Sequence, residues 1–376
     1  MSGNRGVGAR NFAAQPGWKW TAGAVIVALA LSGGACAAPR YFTSASAWNT
    51  PIPSAAKFSG YAAAPGVVAG LDTWDSANAY THPFYAAKST DPQAPLLYNS
   101  LAWYNVYIGR WARTGNSATI EKEILASSKS CFPYAGNVYS STSATSWVLP
   151  SSYNKPVSCP YVAGSFYFAS NMAPAPGSDG HRHVLQPNGK IVETYSTIVL
   201  STGQVVALSY SVTNPSSSGD GWQNGNTASM LPTYAGQIWD DEISNGVTHA
   251  IAITAPAKLL TPKIAYPAYA FDRDATTSQP PYSGVVPMGG RLALPPSVSI
   301  ASLKLLTPEG KAIATAAQRF GFIIVDRGGS GVTLEVQPNA PTKDAALHSW
   351  NWGLQSDLNA ILAKVQQVQF STSTTP

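Results

Sequence analysis

Polar and apolar residues alternate along the second half of the chain, and turn residues (mostly Gly, Pro, Asn and Ser) separate the alternating segments. A period of two is typical of strands that bury one face. It predicts strands at residues 165–170, 181–186, 191–197, 204–212, 247–254, 291–295, 322–328 and 332–337. Many short strands separated by turns favour a mostly β fold, and more specifically a β-sandwich or jelly roll.

A few segments have the signals of short helices instead. In TPEGKAIATAAQRFG (307–321), Thr307 is suited to cap the N-terminus and Pro308 fits the first helical position. Residues 356–365 predict a C-terminal helix, and residues 239–246 predict a short helix that ends at a glycine.

The N-terminus has the features of an export signal. Basic residues precede the apolar run AVIVALALSGGA, and the small residues ACAA then form an A-x-A-like cleavage site. The run is too short for a permanent membrane span. We expect a signal peptide at 1–38, a single β-rich catalytic or binding domain at 39–370 and a disordered tail at 371–376, in a secreted or periplasmic protein. A lipoprotein that begins at Cys36 is the alternative.

Composition agrees with an exported β protein. Charged residues make up only 11% of the chain, which has 11 Trp and 18 Tyr; disordered chains lack aromatics, and helical bundles are richer in charge. The formal net charge of +5 favours an acidic partner. The chain has no Lys/Arg cluster typical of nucleic-acid binding, so no nucleic-acid partner is expected.

Two cysteines, Cys131 and Cys159, remain after removal of the signal. An oxidising compartment favours a disulfide between them. Two buried free thiols are the alternative.

The stretch SDGHRHVLQPNGKIVETY (178–195) carries two of the five histidines. Asn188-Gly189 predicts a hairpin with a two-residue type I′ turn. In that register His183 pairs with Thr194, and residues directly opposite share one face of the sheet.

The predicted register decides which side chains can act together. His181 and His183 fall on one face, and Glu193 falls on the other. A cupin-like metal site made from these three residues is therefore disfavoured. We expect Glu193 to form a cross-strand pair with Arg182 instead.

A third histidine, His249, lies in VTHAIAIT on the face of Val247 and Ile251. It is either a core residue with a hydrogen-bond partner, or it meets His181 or His183 on a concave sheet face. The second arrangement suits proton transfer near neutral pH.

The loop FDRDATTSQPPYSG (271–284) is rich in charge for a charge-poor chain. It is either a solvated loop or a rim that binds substrate through Asp272 and Arg273, with Tyr282 as a catalytic acid. Two further substrate-binding candidates, each with a structural alternative, are Arg327 at a strand end and Trp222 on a Gly/Asn-rich loop.

The standard motifs of other enzyme classes are absent. The chain contains no G-x-S-x-G, no H-E-x-x-H and no Walker loop. No cofactor and no metal site is predicted, although a structural or catalytic metal stays open. Paired carboxylates for glycoside hydrolysis are available from Asp179, Asp272, Asp274 and Asp326.

Some segments of the chain resemble those of secreted bacterial β-rich proteins without an assigned activity: SAWNTPIP (46–53), SDGHRHVLQPNGKIVE (178–193) and GVTHAIAI (246–253). This resemblance supplies no catalytic residues. More loosely, an exported basic β-rich chain with His, Tyr and Arg on its strands resembles the jelly-roll polysaccharide lyases, whose Q-I-H and YFKAG motifs are absent here. It implies β-elimination beside a uronate carboxylate, with a His or Tyr base, a Tyr acid and a group that neutralises the carboxylate.

The leading expectation is a polysaccharide lyase that cleaves a uronate-containing, acidic polysaccharide. His181, His183 and His249 are the candidate bases, Tyr282 is the candidate acid, and Arg273 is the group that binds the carboxylate. A glycoside hydrolase with paired carboxylates is one alternative. A non-catalytic carbohydrate-binding or cell-surface protein is the other.

Overall fold

The computed structural model describes part of the chain: residues 40–60, 69–71, 81–98, 121–122, 125, 130–131, 157–158, 161–176, 179–217, 225–272, 274–338 and 351–369. The predicted signal peptide and the predicted tail lie outside these residues.

Most of the regular structure is β-sheet, which confirms the mostly β class. The strands, numbered in chain order, are β1 (Lys57–Ser59), β2 (Ala69–Leu71), β3 (Phe84–Ala86), β4 (Gln93–Tyr98), β5 (Ser130–Cys131), β6 (Val157–Ser158), β7 (Tyr161–Tyr167), β8 (Arg182–Leu185), β9 (Ile191–Val199), β10 (Val205–Thr213), β11 (Ile251–Pro256), β12 (Leu260–Ile264), β13 (Val286–Met288), β14 (Arg291–Ala293), β15 (Phe322–Gly328), β16 (Val332–Leu334) and β17 (Gln366–Gln369).

Two larger sheets contain most of these strands, and both sheets are mixed. The seven-stranded sheet has the order β1-β17-β14-β15-β11-β16-β2, and the six-stranded sheet has the order β3-β8-β9-β10-β4-β7. Strands β11 and β15 run parallel in the first sheet, and β10 and β4 run parallel in the second. A jelly roll is built from antiparallel strands, so this finer expectation is not confirmed.

The helices are short and lie mostly near the C-terminal end: α1 (Glu242–Asn245), α2 (Pro308–Arg319) and α3 (Trp352–Leu362). Thr307 caps α2 as predicted, since its hydroxyl accepts a hydrogen bond from the Gly310 N–H at 2.9 Å. Helix α3 begins earlier than predicted because Asn351 caps it, accepting from the Leu354 N–H at 3.0 Å. Among the described residues, no helix is long and apolar enough to cross a membrane.

The seven-stranded sheet is buried on both faces, which explains the continuous apolar run at the start of β15. On one face, Ile251 of β11 packs with Ile313 of α2 in the larger core. On the other face, Ile323 of β15 packs in a second core with Phe84 and Ile191, which begin β3 and β9. The second core therefore joins the two sheets, and the candidate site lies beside it.

The β8–β9 hairpin has a turn that differs from the predicted one. The Gly189 N–H donates to the Gln186 carbonyl oxygen at 2.9 Å, and Gly189 has a φ of 79° whereas Asn188 does not have a positive φ. This is a type I turn over Pro187 and Asn188 followed by a left-handed glycine, a three-residue loop. Proline has a fixed φ near −65° that suits the first central position of a type I turn, and this preference outweighs the Asn-Gly signal.

The additional loop residue shifts the two strands by one position, so the predicted faces were wrong. Glu193 lies directly opposite His183 and shares its face. The predicted pairing of Arg182 with Glu193 was also wrong. The Arg182 guanidinium donates to the Met172 carbonyl oxygen at 3.0 Å and lies over the Phe168 ring, 4.3 Å from its centroid.

Candidate functional site

Three buried histidines meet where the two sheets pack together. His82 precedes β3, while His181 and His183 belong to β8 and the segment before it. The ring centroid of His82 lies 4.1 Å from that of His181 and 5.8 Å from that of His183. Each histidine is at most 5% exposed. The structure thus places two of the predicted catalytic residues together and adds His82 to them.

Glu335 fixes the orientation of the His82 ring. Nδ1 of His82 lies 2.7 Å from Oε2 of Glu335, and both side chains are buried. Gln237 holds the backbone of the same residue, since its side-chain amide donates to the His82 carbonyl oxygen at 2.8 Å. Nε2 of His82 is a buried atom with no hydrogen-bond partner in the described part of the chain. A carboxylate on one ring nitrogen with the other nitrogen unused is the arrangement of an oriented base.

The shifted hairpin creates a second buried pair from Glu193 and His183. Oε1 of Glu193 lies 3.6 Å from Nε2 of His183, and Oε2 accepts from the Asn226 N–H at 3.1 Å and the Ser211 hydroxyl at 3.3 Å. Burial raises the pKa of Glu193 to about 8. Burial and the nearby charge of His82 lower the pKa of His183 to about 3. Near neutral pH the proton of this pair therefore resides on Glu193.

His181 connects the buried histidines to a half-buried carboxyl group. Burial lowers its pKa well below the usual value, and the charges of His82 and His183 act in the same direction. Its ring packs against Tyr195 with centroids 4.9 Å apart. The Tyr195 hydroxyl donates to Oδ1 of Asp179 at 3.5 Å, and burial raises the pKa of Tyr195, so this hydroxyl remains a donor.

Two half-buried carboxyl groups from different elements influence a third, which is also half-buried. Asp179 precedes β8, Asp272 follows β12, and Asp326 lies on β15. Burial raises the pKa of each of them, and the charges of Asp272 and Asp179 raise that of Asp326 further. Asp326 also accepts hydrogen bonds from the backbone N–H groups of Ala228 and Arg327 at 3.0 Å and 2.7 Å. Among the aspartates that the sequence predicted for hydrolysis, Asp179 and Asp272 thus both act electrostatically on Asp326.

Tyr282 and Arg327 flank Asp272 at the outer side of this group. The Tyr282 hydroxyl donates to Oδ2 of Asp272, and the Arg327 guanidinium lies 3.4 Å from its Oδ1. Arg327 also lies 3.1 Å from Asp274. Burial raises the pKa of Tyr282, and the charge of Asp272 raises it further. The positive charge of Arg327 is therefore shared between two aspartates, Asp272 and Asp274.

His249 belongs to a different buried pair. Its Nε2 lies 3.1 Å from Oε2 of Glu242 on α1, and its Nδ1 lies 2.8 Å from the Ala250 carbonyl oxygen. Burial lowers the pKa of His249, but Glu242 opposes this and the pKa is raised overall. Within the described residues His249 has no contact with His181 or His183. Its surroundings are those of a core histidine with hydrogen-bond partners.

Other predicted residues lie outside the described part of the chain. These are Trp222, Arg273 and Cys159, and only the backbone of Cys131 is described. The roles of Trp222 and Arg273 in substrate binding and the disulfide between the cysteines stay predictions.

Sequence reasoning missed His82 and Glu335, and it placed Glu193 on the wrong face of the sheet. His82 and Glu335 are separated by 253 positions in the chain, and neither segment has a motif that points to the other. The Pro187 before Asn188-Gly189 was a usable signal for Glu193, because it favours the longer turn.

The histidine and aspartate groups do not form a metal site in the described residues, where no three His, Cys, Asp or Glu side chains are arranged to hold an ion. The rings of His82 and His181 lie tilted over each other at 41°.

The chain matches no family model, no curated protein and no solved structure.

Proposed function

We propose that the protein is a glycan-active hydrolase that uses the carboxyl groups of Asp326 and Asp179. The observation that supports the proposal is that the charges of Asp272 and Asp179 both act on Asp326, and that the pKa of each of these half-buried carboxyl groups is raised. Hydrolysis of a glycosidic bond needs a carboxylic acid that protonates the leaving oxygen and a carboxylate that acts as base or nucleophile. Neighbouring carboxyl groups with perturbed pKa values are typical of such pairs.

Asp326 suits the role of the acid. Its pKa is raised well above the usual value by burial and by the neighbouring aspartates, so it keeps a proton at a pH where an exposed aspartate has lost it. Asp179 suits the role of the carboxylate. Burial raises its pKa, but the charge of His82 and the hydrogen bond from Tyr195 favour its ionised form.

Asp272 and Arg327, which are partly exposed, form the rim of the proposed site, and Tyr282 is buried beside them. Carboxylate oxygens and guanidinium N–H groups are suited to bind sugar hydroxyls. Because Arg327 is already paired with Asp272 and Asp274, its charge is not available to a polyanion. The rim therefore supports an uncharged glycan as substrate rather than the acidic one that the overall net charge favours.

A uronate lyase is the second candidate because His181 and Tyr195 lie side by side. In that reaction His181 removes the C5 proton, the bond from C4 to the leaving oxygen breaks, and the Tyr195 hydroxyl protonates that oxygen, while a protonated Asp326 donates a hydrogen bond to the uronate carboxylate. The deep burial of His181 disfavours this role.

The test is a screen of the purified protein against neutral and uronate-containing polysaccharides. Reducing ends and the ultraviolet absorbance of unsaturated uronate products are followed together. We expect reducing ends without absorbance, and a loss of at least about a hundredfold in Asp326→Asn and Asp179→Asn. Asp241→Asn, an exposed aspartate paired with Arg40, is the matched control and is expected to keep full activity.

Other outcomes contradict the proposal in different ways. A rise in absorbance identifies the lyase. Retention on a glycan with neither signal identifies a binding protein. Hydrolysis that survives in both Asp326→Asn and Asp179→Asn shows that the active centre lies elsewhere.

A further inference from the structure

The two carboxyl groups of the proposed site stand on different sheets. The backbone of Asp179 is held by the six-stranded sheet, because its carbonyl oxygen accepts from the Ser196 N–H of β9 at 2.6 Å. Asp326 lies within β15 of the seven-stranded sheet. The distance between the two groups therefore depends on the contacts that hold the sheets together, and hydrolysis requires that distance to be fixed.

The buried pair of His82 and Glu335 is one of these contacts. Glu335 is fixed to the seven-stranded sheet, since its N–H donates to the Ala252 carbonyl oxygen at 3.0 Å. His82 is fixed to the six-stranded sheet, because the His183 N–H donates to the carbonyl oxygen of Pro83, the next residue, at 2.8 Å. The 2.7 Å contact between the two side chains thus connects one sheet to the other.

Ring contacts continue from this pair to the proposed site. The His82 ring lies over His181 at 4.1 Å, His181 packs against Tyr195 at 4.9 Å, and Tyr195 donates to Asp179 at 3.5 Å. A buried ion pair that loses one partner leaves an uncompensated charge. A change at His82 therefore acts on Asp179 through packing and through charge.

We infer that His82, oriented by Glu335, is a positioning residue of the proposed site, which holds His181 and Tyr195 against Asp179 and, when protonated, places a positive charge near that carboxyl group. The role of His82 in catalysis rests on the proposed function. The effect of His82 on the Asp179 carboxyl group is independent of that function and can be measured without a substrate.

The experiment compares wild type with His82→Gln and Glu335→Gln in the full chain. Gln at position 82 still donates a hydrogen bond to Glu335 but lacks the ring and the charge. Gln at position 335 still accepts from His82 but lacks the charge. Glu242→Gln is the matched control, because Glu242 forms a buried pair with His249 that has no contact with Asp179 in the described residues.

The first readout is the titration of the Asp179 carboxyl carbon by NMR. We expect its midpoint to rise by about one pH unit in His82→Gln, to move in the same direction in Glu335→Gln and to stay constant in Glu242→Gln. The second readout is steady-state kinetics on the glycan that the screen identifies. We expect kcat to fall about tenfold to a hundredfold in His82→Gln, with little change in KM.

Thermal unfolding shows which variants are folded. If His82→Gln does not fold, the comparison of Glu335→Gln with wild type tests the inference. An Asp179 titration that is identical in wild type and the folded variants overturns the inference, as does an equal shift in the control. A midpoint that moves without any change in kcat refutes the proposed function and leaves the effect of His82 on Asp179 standing.

Discussion

Replacement of Glu193 by Gln tests the most unusual electrostatic feature of the fold, a protonated carboxyl group that is buried where the two sheets pack together. Glu193 is 1% exposed, and Gln has nearly the same shape as the protonated acid. Its carbonyl oxygen can accept from Asn226 and Ser211, and its amide can donate to His183. We therefore expect Glu193→Gln to lie within about 1 kcal/mol of wild type at about pH 5.

The two proteins should diverge as the pH rises from about 4.5 to about 8. Because the folded pKa of Glu193 is raised from 4.5 to about 8, the folded state binds more protons than the unfolded state between these values, and stability falls as pH rises through them. Ionisation inside the fold costs on the order of 5 kcal/mol if the whole shift contributes, at about 1.4 kcal/mol per pH unit. Local relaxation lowers this cost, so about 2–4 kcal/mol is expected.

His183 contributes with the opposite sign. Its folded pKa is lowered from 6.5 to about 3, so the stability it contributes is complete above 6.5 and is lost as pH falls. The two effects oppose each other between 4.5 and 6.5, and only Glu193 acts above 6.5. Because His183 is present in both proteins, its contribution cancels, and the difference between wild type and Glu193→Gln should develop between about 4.5 and about 8.

Urea denaturation from about pH 5 to about pH 9.5 measures this difference directly. We expect the variant to be the more stable protein at the alkaline end. Parallel curves for the two proteins at all pH values would show that Glu193 is ionised in the native state, and the reasoning would be refuted.

Other substitutions test the remaining features of the fold. Glu242→Gln should lose stability mainly on the acid side, since the raised pKa of His249 contributes stability that is complete below 6.5 and is lost as pH rises through the folded value; urea midpoints at two pH values check this, and an equal loss at both would contradict it. Gly189→Ala should cost about 1 kcal/mol because Ala must adopt a φ of 79° although its Cβ meets no atom, and Gly189→Asn should cost less; equal stabilities would argue against the left-handed turn. Asp357→Ala should cost about 2–3 kcal/mol in chemical denaturation, because this buried carboxylate accepts from the Leu306 and Thr307 N–H groups at 2.8 Å each; an unchanged midpoint would contradict the contact.

Local signals predicted much of the secondary structure. The run FIIVDRG became β15 with the predicted bounds, since an apolar run of that length between turn residues suits a strand buried on both faces. Thr307 and Pro308 marked the start of α2 because capping and the first helical position depend on neighbouring residues alone.

The candidate site was less predictable because it depends on register and on contacts between distant segments. One additional residue in the loop at Pro187 moved Glu193 to the face of His183. His82 and Glu335 meet only because the sheets pack against each other, and no local pattern encodes that packing. His249 lies just before β11 rather than on it, and its partner comes from α1.

The most direct test of the proposed chemistry compares two substrates of the Asp326→Asn variant, once the screen has identified the glycan. A general acid is needed only when the leaving group is poor. We predict that the variant loses cleavage of the polysaccharide by at least about a hundredfold and keeps most of its cleavage of an activated aryl glycoside of the same sugar. Equal loss on both substrates, or no loss on either, would contradict the role of Asp326 as the acid.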